Sequence, residues 1–235
     1  MLWKICSVRS EGVTLLFAKS DVLDMYFLTP MQEGMLIHEL LNENNDAYFQ
    51  QLHFSLSGRV DLAAFRRSVD AIVTANAMFR TVFVYKNLKR PVQVVLKRME
   101  IPVNFQDLQG LSLEERSAFL EEFKRGEIAQ GFDLTRGPLM RVALLQTGSD
   151  RYECIWSYHH LILDGWSTAN VLTELWRTYA RCRRTRRPIQ QTAVPFSMYI
   201  QWLEKQDKQS ALQYWDTHLE GYEEATGIPC SRTRQ

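Results

Sequence analysis

Apolar and polar positions along the chain fall into stretches of two kinds. Residues 47–56 alternate, with Tyr48, Gln50, Leu52, Phe54 and Leu56 on one side, and read as a strand. Residues 78–85 and 92–96 are β-branched and aromatic, which predicts a hairpin-like pair. A turn-rich connection through Phe132-Asp133-Leu134 and Arg136-Gly137-Pro138 leads into strands expected at 139–146 and 151–158. Helical spacing governs the rest. Thr29 as N-cap, Pro30 in the first turn and Gln32 at the capping-box position open a helix whose Met31, Met35, Leu36, Leu40 and Leu41 are expected as a buried stripe. Asp61 caps a second helix, with Leu62, Phe65, Val69, Ile72 and Val73 inward. Ser112 and Glu115 form another capping box, opening a charged helix to about Ile128 whose charges read as a solvated face.

The strongest feature is the stretch His159-His160-Leu161-Ile162-Leu163-Asp164-Gly165, which follows an apolar run containing Tyr152, Cys154, Ile155 and Trp156. A buried strand ending in polar residues, then Asp-Gly, then an amphipathic helix is how α/β proteins present chemistry at a strand's carboxyl end. The helix is expected to reach about Tyr179, with Val171, Leu172, Leu175 and Trp176 inward. A buried imidazole needs partners for both ring nitrogens, so two histidines here demand a reason. Gly165 lets the backbone turn tightly after Asp164. Ser167 is expected to cap the helix. His159, His160 and Asp164 could be read as metal ligands, but adjacent strand residues point to opposite faces, so one ion cannot easily take both imidazoles. No metal is expected. His38, His53 and His218 stand in ordinary contexts and are given no role.

Composition narrows the class. The chain has 235 residues, 46% hydrophobic and 23% charged, with a formal net charge of +1. That is a globular composition with no overall field towards nucleic acid or an acidic membrane. Its apolar runs are far shorter than a membrane span. Cys6, Cys154, Cys182 and Cys230 are scattered without a Cys-x-x-Cys pair, which suggests neither zinc nor a disulfide framework and fits a cytoplasmic protein. Five arginines between Arg181 and Arg187 read as a solvated helix end and loop, favoured by the helix dipole. Helices are expected at 196–206 and 209–220, and the tail from Glu223 is irregular. Residues 1–20 lack periodicity and read as a leader or linker, with order beginning near Asp21.

Four stretches, in order, resemble the core motifs of condensation domains from nonribosomal peptide synthetases. They are Leu28-Thr29-Pro30-Met31-Gln32-Glu33-Gly34-Met35-Leu36, Asn76-Ala77-Met78-Phe79-Arg80-Thr81-Val82-Phe83, the stretch from Tyr158 to Ser167, and Phe196-Ser197-Met198-Tyr199-Ile200-Gln201-Trp202. In the second, Ala75-Asn76-Ala77 stands where the family usually has Arg-His-Glu. The resemblance implies an α/β fold, a chloramphenicol-acetyltransferase-like αβα sandwich forming one lobe of a two-lobe domain. Residues 21–235 would be its N-terminal lobe, the motifs of the C-terminal lobe being absent. A trimeric acetyltransferase of similar length is disfavoured, because its His-x-x-x-Asp motif lies near the carboxyl end.

The same resemblance implies peptide-bond-forming acyl transfer between a carrier-tethered aminoacyl or peptidyl thioester and an aminoacyl acceptor. His160 then faces the acceptor amine, as general base or by orienting it, and a backbone N–H around Gly165 contributes to the oxyanion site. His159, Asp164, Arg80 and Trp166 are structural: His159 packs below the site, Asp164 pairs with Arg80, and Trp166 walls the channel. No cofactor binds directly, since the phosphopantetheine arm belongs to the carriers. The partners implied are donor and acceptor peptidyl carrier proteins and the C-terminal lobe or neighbouring synthetase domains. Whether this chain alone is an enzyme is left open. An epimerisation-domain fragment and a non-catalytic carrier-docking fragment are the alternatives, whereas a heterocyclising domain replaces the histidine pair with aspartate.

Overall fold

The computed structural model describes residues 17–41, 46–185, 194–223 and 227. Of the expectations above, those on Cys6, Cys230, Arg186, Arg187, most of the first twenty residues and most of the tail lie outside the described residues. The chain divides into two compact units, Met1–Ile200 and Gln201–Gln235.

The first unit holds two sheets. Strands β1 (Val22–Phe27), β3 (Thr81–Val84) and β4 (Val92–Leu96) form a three-stranded sheet in the order β1-β4-β3. Strands β2 (Phe49–Ser57), β5 (Val103–Asp107), β6 (Met140–Gly148) and β7 (Arg151–His159) form a four-stranded sheet in the order β2-β7-β6-β5. In this second sheet β5 and β6 run parallel and the other pairs antiparallel. The expected pairing of the two apolar runs is the β3–β4 pair, with Val82 opposite Val94.

Both faces of the four-stranded sheet are covered. Val142, Leu144, Cys154 and Trp156 point into the main core with Phe65, Val69 and Ile72 of α2 (Leu62–Ala75) and Val171 and Leu175 of α4 (Gly165–Arg184). The alternate residues Ala143, Leu145 and Ile155 pack instead against Phe119, Leu120 and Phe123 of α3 (Leu113–Gln130). This period-2 division explains why β6 and β7 are apolar almost throughout. The caps form as the sequence requires: the Asp61 carboxylate accepts from Ala64 N–H at 2.9 Å, and Ser112 and Glu115 bond each other's backbone reciprocally.

Helix α1 (Pro30–Leu41) departs from expectation. Its capping box is present, Thr29 Oγ1 accepting from Gln32 N–H and Gln32 Oε1 from Thr29 N–H. Of the expected stripe, Leu36 is buried and Met35 partly so, but Met31, Leu40 and Leu41 are not. Met31 is 70% exposed and Leu41 76%, while the buried positions are Gln32 and Leu36, with Met35 half-buried. Apolar residues surround this helix, so periodicity cannot select a face, and the inward turn is set by Gln32, which has polar partners in the core. Helix α4 continues beyond Tyr179 to Arg184 because Thr178 and Cys182 extend its buried stripe.

Helix α5 (Phe196–Glu204) spans the boundary between the units, and its Phe196 and Ile200 pack with Tyr26 and Val95 in the first. The second unit contains α6 (Lys208–His218), capped by Asp207, where Tyr214 stacks on His218 at 5.6 Å. Among the described residues, no helix is long and apolar enough to cross a membrane.

Candidate active site

Strand β7 delivers the two histidines, and its partner β2 positions the first residue beyond it: His160 N–H donates to Tyr48 O at 2.8 Å. The chain then turns, with Ile162 N–H bonded to His159 O at 3.1 Å, and enters α4 at Gly165.

The two imidazoles take opposite tautomers. His160 Nδ1 lies 2.9 Å from Leu163 O. A carbonyl only accepts, so Nδ1 carries the proton and Nε2 presents a bare lone pair. His160 is half-buried. In His159, Nδ1 accepts from Leu161 N–H at 3.1 Å, which places its proton on Nε2. That ring is 3% exposed and lies between Tyr48 and Phe132, with centroids at 6.2 and 6.4 Å. Its Nε2 is 3.7 Å from Glu39 Oε1. Among the described residues no group of three or more His, Cys, Asp or Glu side chains is placed to hold a metal.

Asp164 is exposed and serves as the N-cap of α4, its carboxylate accepting from Ser167 N–H at 2.7 Å. Ser167 therefore receives the cap rather than making it. Its hydrogen bonds and the adjacent His160 hold the Asp164 carboxyl below the usual carboxylate range. The expected Asp164–Arg80 ion pair does not form. The Arg80 guanidinium is buried and donates to backbone carbonyls: Nε to Val73 O at 3.0 Å, one terminal nitrogen to Leu96 O and Lys97 O, the other to Thr74 O at 3.3 Å. Burial pushes its pKa down. The physical reason is local. The carbonyls at the C-terminal end of α2 have no intrahelical donors left and carry partial negative charge, so they satisfy the guanidinium where it stands.

Gly165 is the first helical residue of α4, where amides lack intrahelical acceptors, and an added Cβ would meet nothing within 4 Å. Trp166 is 86% exposed.

Sequence reasoning missed a second support for this loop. Gln32 and Gln93 form a reciprocal buried amide pair, and Gln32 Nε2 also donates to Leu161 O at 3.1 Å. Gln93 Nε2 further bonds Phe27 O at 3.0 Å, joining β1 and β4 to the pair. The available signal was Gln93, a lone amide inside the otherwise apolar Val92–Leu96 run.

Two layers of helix on a mixed sheet, with a histidine loop at the end of a central strand, define an acyltransferase-like α/β fold. Solved structures with this arrangement bear that out. The starter condensation domain of the rhizomide synthetase RzmA superposes with a TM-score of 0.72 at 19% identity, over 83% of this chain and 50% of that one. The condensation domain of the Monacolin K polyketide synthase MokA gives 0.69 at 20% identity, over 88% and 45%. Gramicidin S synthase 2 of Brevibacillus brevis is 41% identical over 214 residues, covering 91% of this chain and 5% of that protein. Surfactin synthase subunit 3 of Bacillus subtilis (strain 168) is 40% identical over 219 residues, covering 93% and 17%. The family model described as Condensation domain matches residues 22–235. The chain belongs to the condensation-domain family of the nonribosomal peptide synthetases, and spans a small fraction of the length of these curated relatives.

Proposed function

We propose that the chain is the histidine-bearing N-terminal lobe of a condensation domain, residues 21–235, and that it joins a carrier-tethered thioester donor to an aminoacyl acceptor when completed by a C-terminal lobe. The observation that carries this reading is the His160 ring, whose Nδ1–H is tied to Leu163 O and whose Nε2 is thereby left as a free acceptor. The acceptor nitrogen attacks the thioester carbonyl, giving a tetrahedral oxyanion. On its collapse the C–S bond breaks, and the amine proton passes by way of His160 Nε2 to the departing thiolate. An α-amine has a pKa near ~8, so orienting its neutral form is as useful as removing its proton. The Gly165 amide, in the first turn of α4, is suited to the oxyanion. His159, Asp164 and Arg80 hold the frame, and Trp166 becomes a channel wall once the second lobe covers it.

The phosphopantetheine arm enters on donor and acceptor carrier proteins, and nothing in this reading requires a cofactor in the chain itself. Half-length coverage of the condensation-domain structures supports the one-lobe assignment. Residues 1–20 are then a leader or linker, and the setting is the cytoplasm.

The test is a condensation assay with separately loaded carriers and the second lobe supplied in trans, read by intact mass. Dipeptide on the acceptor carrier, reduced at least ~100-fold by His160→Ala, is the expected result. Epimerised donor without dipeptide points to an epimerisation fragment. Carrier binding without any turnover points to a docking fragment.

A further inference from the structure

Behind the His160 loop, one ring nitrogen of a buried imidazole and one oxygen of a neighbouring carboxylate are buried without a hydrogen-bond partner. His159 Nε2 must carry the ring proton, because Nδ1 already accepts from Leu161 N–H, and this Nε2–H is buried with no hydrogen-bond partner. Glu39 Oε2 is likewise buried and unpartnered, while Oε1 stands 3.7 Å from Nε2. A donor and an acceptor with complementary needs are thus within about 1 Å of the ~2.8 Å typical of a charge-assisted bond. Both line a cavity of about 360 Å³, together with Phe49, Phe132 and the exposed Asp46. The ring's tautomer argues against a metal there, since Nε2 has no lone pair to give.

What this pair holds is the peptide beside the reacting histidine. Helix α1 reaches Leu161 twice: Gln32 donates to its carbonyl, and Glu39 stands behind the ring that accepts its N–H. We propose that Glu39 is a positioning residue, whose carboxylate accepts the His159 Nε2–H and so fixes the ring that holds Leu161 N–H and, through it, the orientation of His160. The consequence for His160 rests on the condensation reading. The clamp on Leu161 does not.

Two measurements test this. In NMR of the chain, His159 is expected in the Nε2–H tautomer, with the Leu161 amide protected from hydrogen exchange. Glu39→Leu should speed Leu161 exchange about tenfold relative to core amides such as Leu144, whereas Glu39→Gln, whose amide oxygen can accept the same N–H, should stay within about threefold. In the condensation assay Glu39→Leu should lower kcat about tenfold with the acceptor KM nearly unchanged, and Glu39→Gln should recover most of it. Unchanged Leu161 exchange in Glu39→Leu, a proton on His159 Nδ1, or equal losses in both variants overturns the proposal. If Glu39→Leu does not fold, the His159 Nε2–H resonance decides: it should move upfield from wild type to Glu39→Gln, and an unmoved resonance overturns the clamp. Wild-type chain that shows the clamp but makes no dipeptide sinks the condensation reading and leaves the clamp standing.

Discussion

At the scale of single residues, the site is set by where protons sit. Adjacent histidines are sorted into opposite tautomers by two backbone groups, a carbonyl for His160 and an N–H for His159. Asp164 contributes through its cap. Asp164→Ala should cost about 1 kcal/mol at pH 7, the usual worth of such a cap, read by urea denaturation. The carboxyl is held below its ordinary range in the folded chain. Its contribution is therefore complete above the unfolded value near ~3.9 and is lost as pH falls through the lowered folded value. The gap between wild type and variant should stay constant from pH 7 to about pH 4 and close below it. That the two histidines end a buried strand and that Asp-Gly opens the next helix was legible in the sequence, from the apolar run before them and the amphipathic spacing after. The partner of Arg80 was not, because a charge pattern does not reveal that helix-end carbonyls can replace a carboxylate.

At the scale of elements, α1 decides the geometry of the loop. Its sequence displays a capping box, and the box forms, but the same Gln32 also reaches Leu161 in the core. A linear reading assigns a side chain one partner, and an amide with two donors and an acceptor can serve several. Gln32→Leu should destabilise the chain by roughly 3 kcal/mol, since it strands the Leu161 carbonyl and the Gln93 amide away from water. Chemical denaturation checks this. The helix also shows why its face was misjudged: with Met31, Ile37, Leu40 and Leu41 all exposed, hydrophobicity carried no direction, and polar bonding did. Helices α2 and α4, by contrast, each have one apolar stripe, and there the inward face could be read directly.

At the scale of the whole chain, β2, β3, β4, β6 and β7 and the helices were legible from alternation, β-branched runs and capping, whereas β1 and β5 were not expected, and the order β2-β7-β6-β5 needed long-range pairing that no local window contains. The exposed Ile37, Leu40 and Leu41 lie one turn apart on α1, an apolar group of the kind that other surfaces cover. The isolated chain should self-associate, and Ile37→Lys with Leu41→Lys should shift it towards monomer in sedimentation velocity.

The pairing of β2 with β7 has a temporal meaning. The β6–β7 hairpin joins neighbours in the chain, but Phe49 meets His159 only after roughly a hundred intervening residues are in place. Such contacts form late, because loop closure must be met before they are rewarded. The Tyr48 carbonyl that receives His160 N–H arrives with β2. During synthesis Tyr48 and β2 are therefore made first, and His160 emerges long afterwards, to be aligned only when β7 docks beside that distant strand.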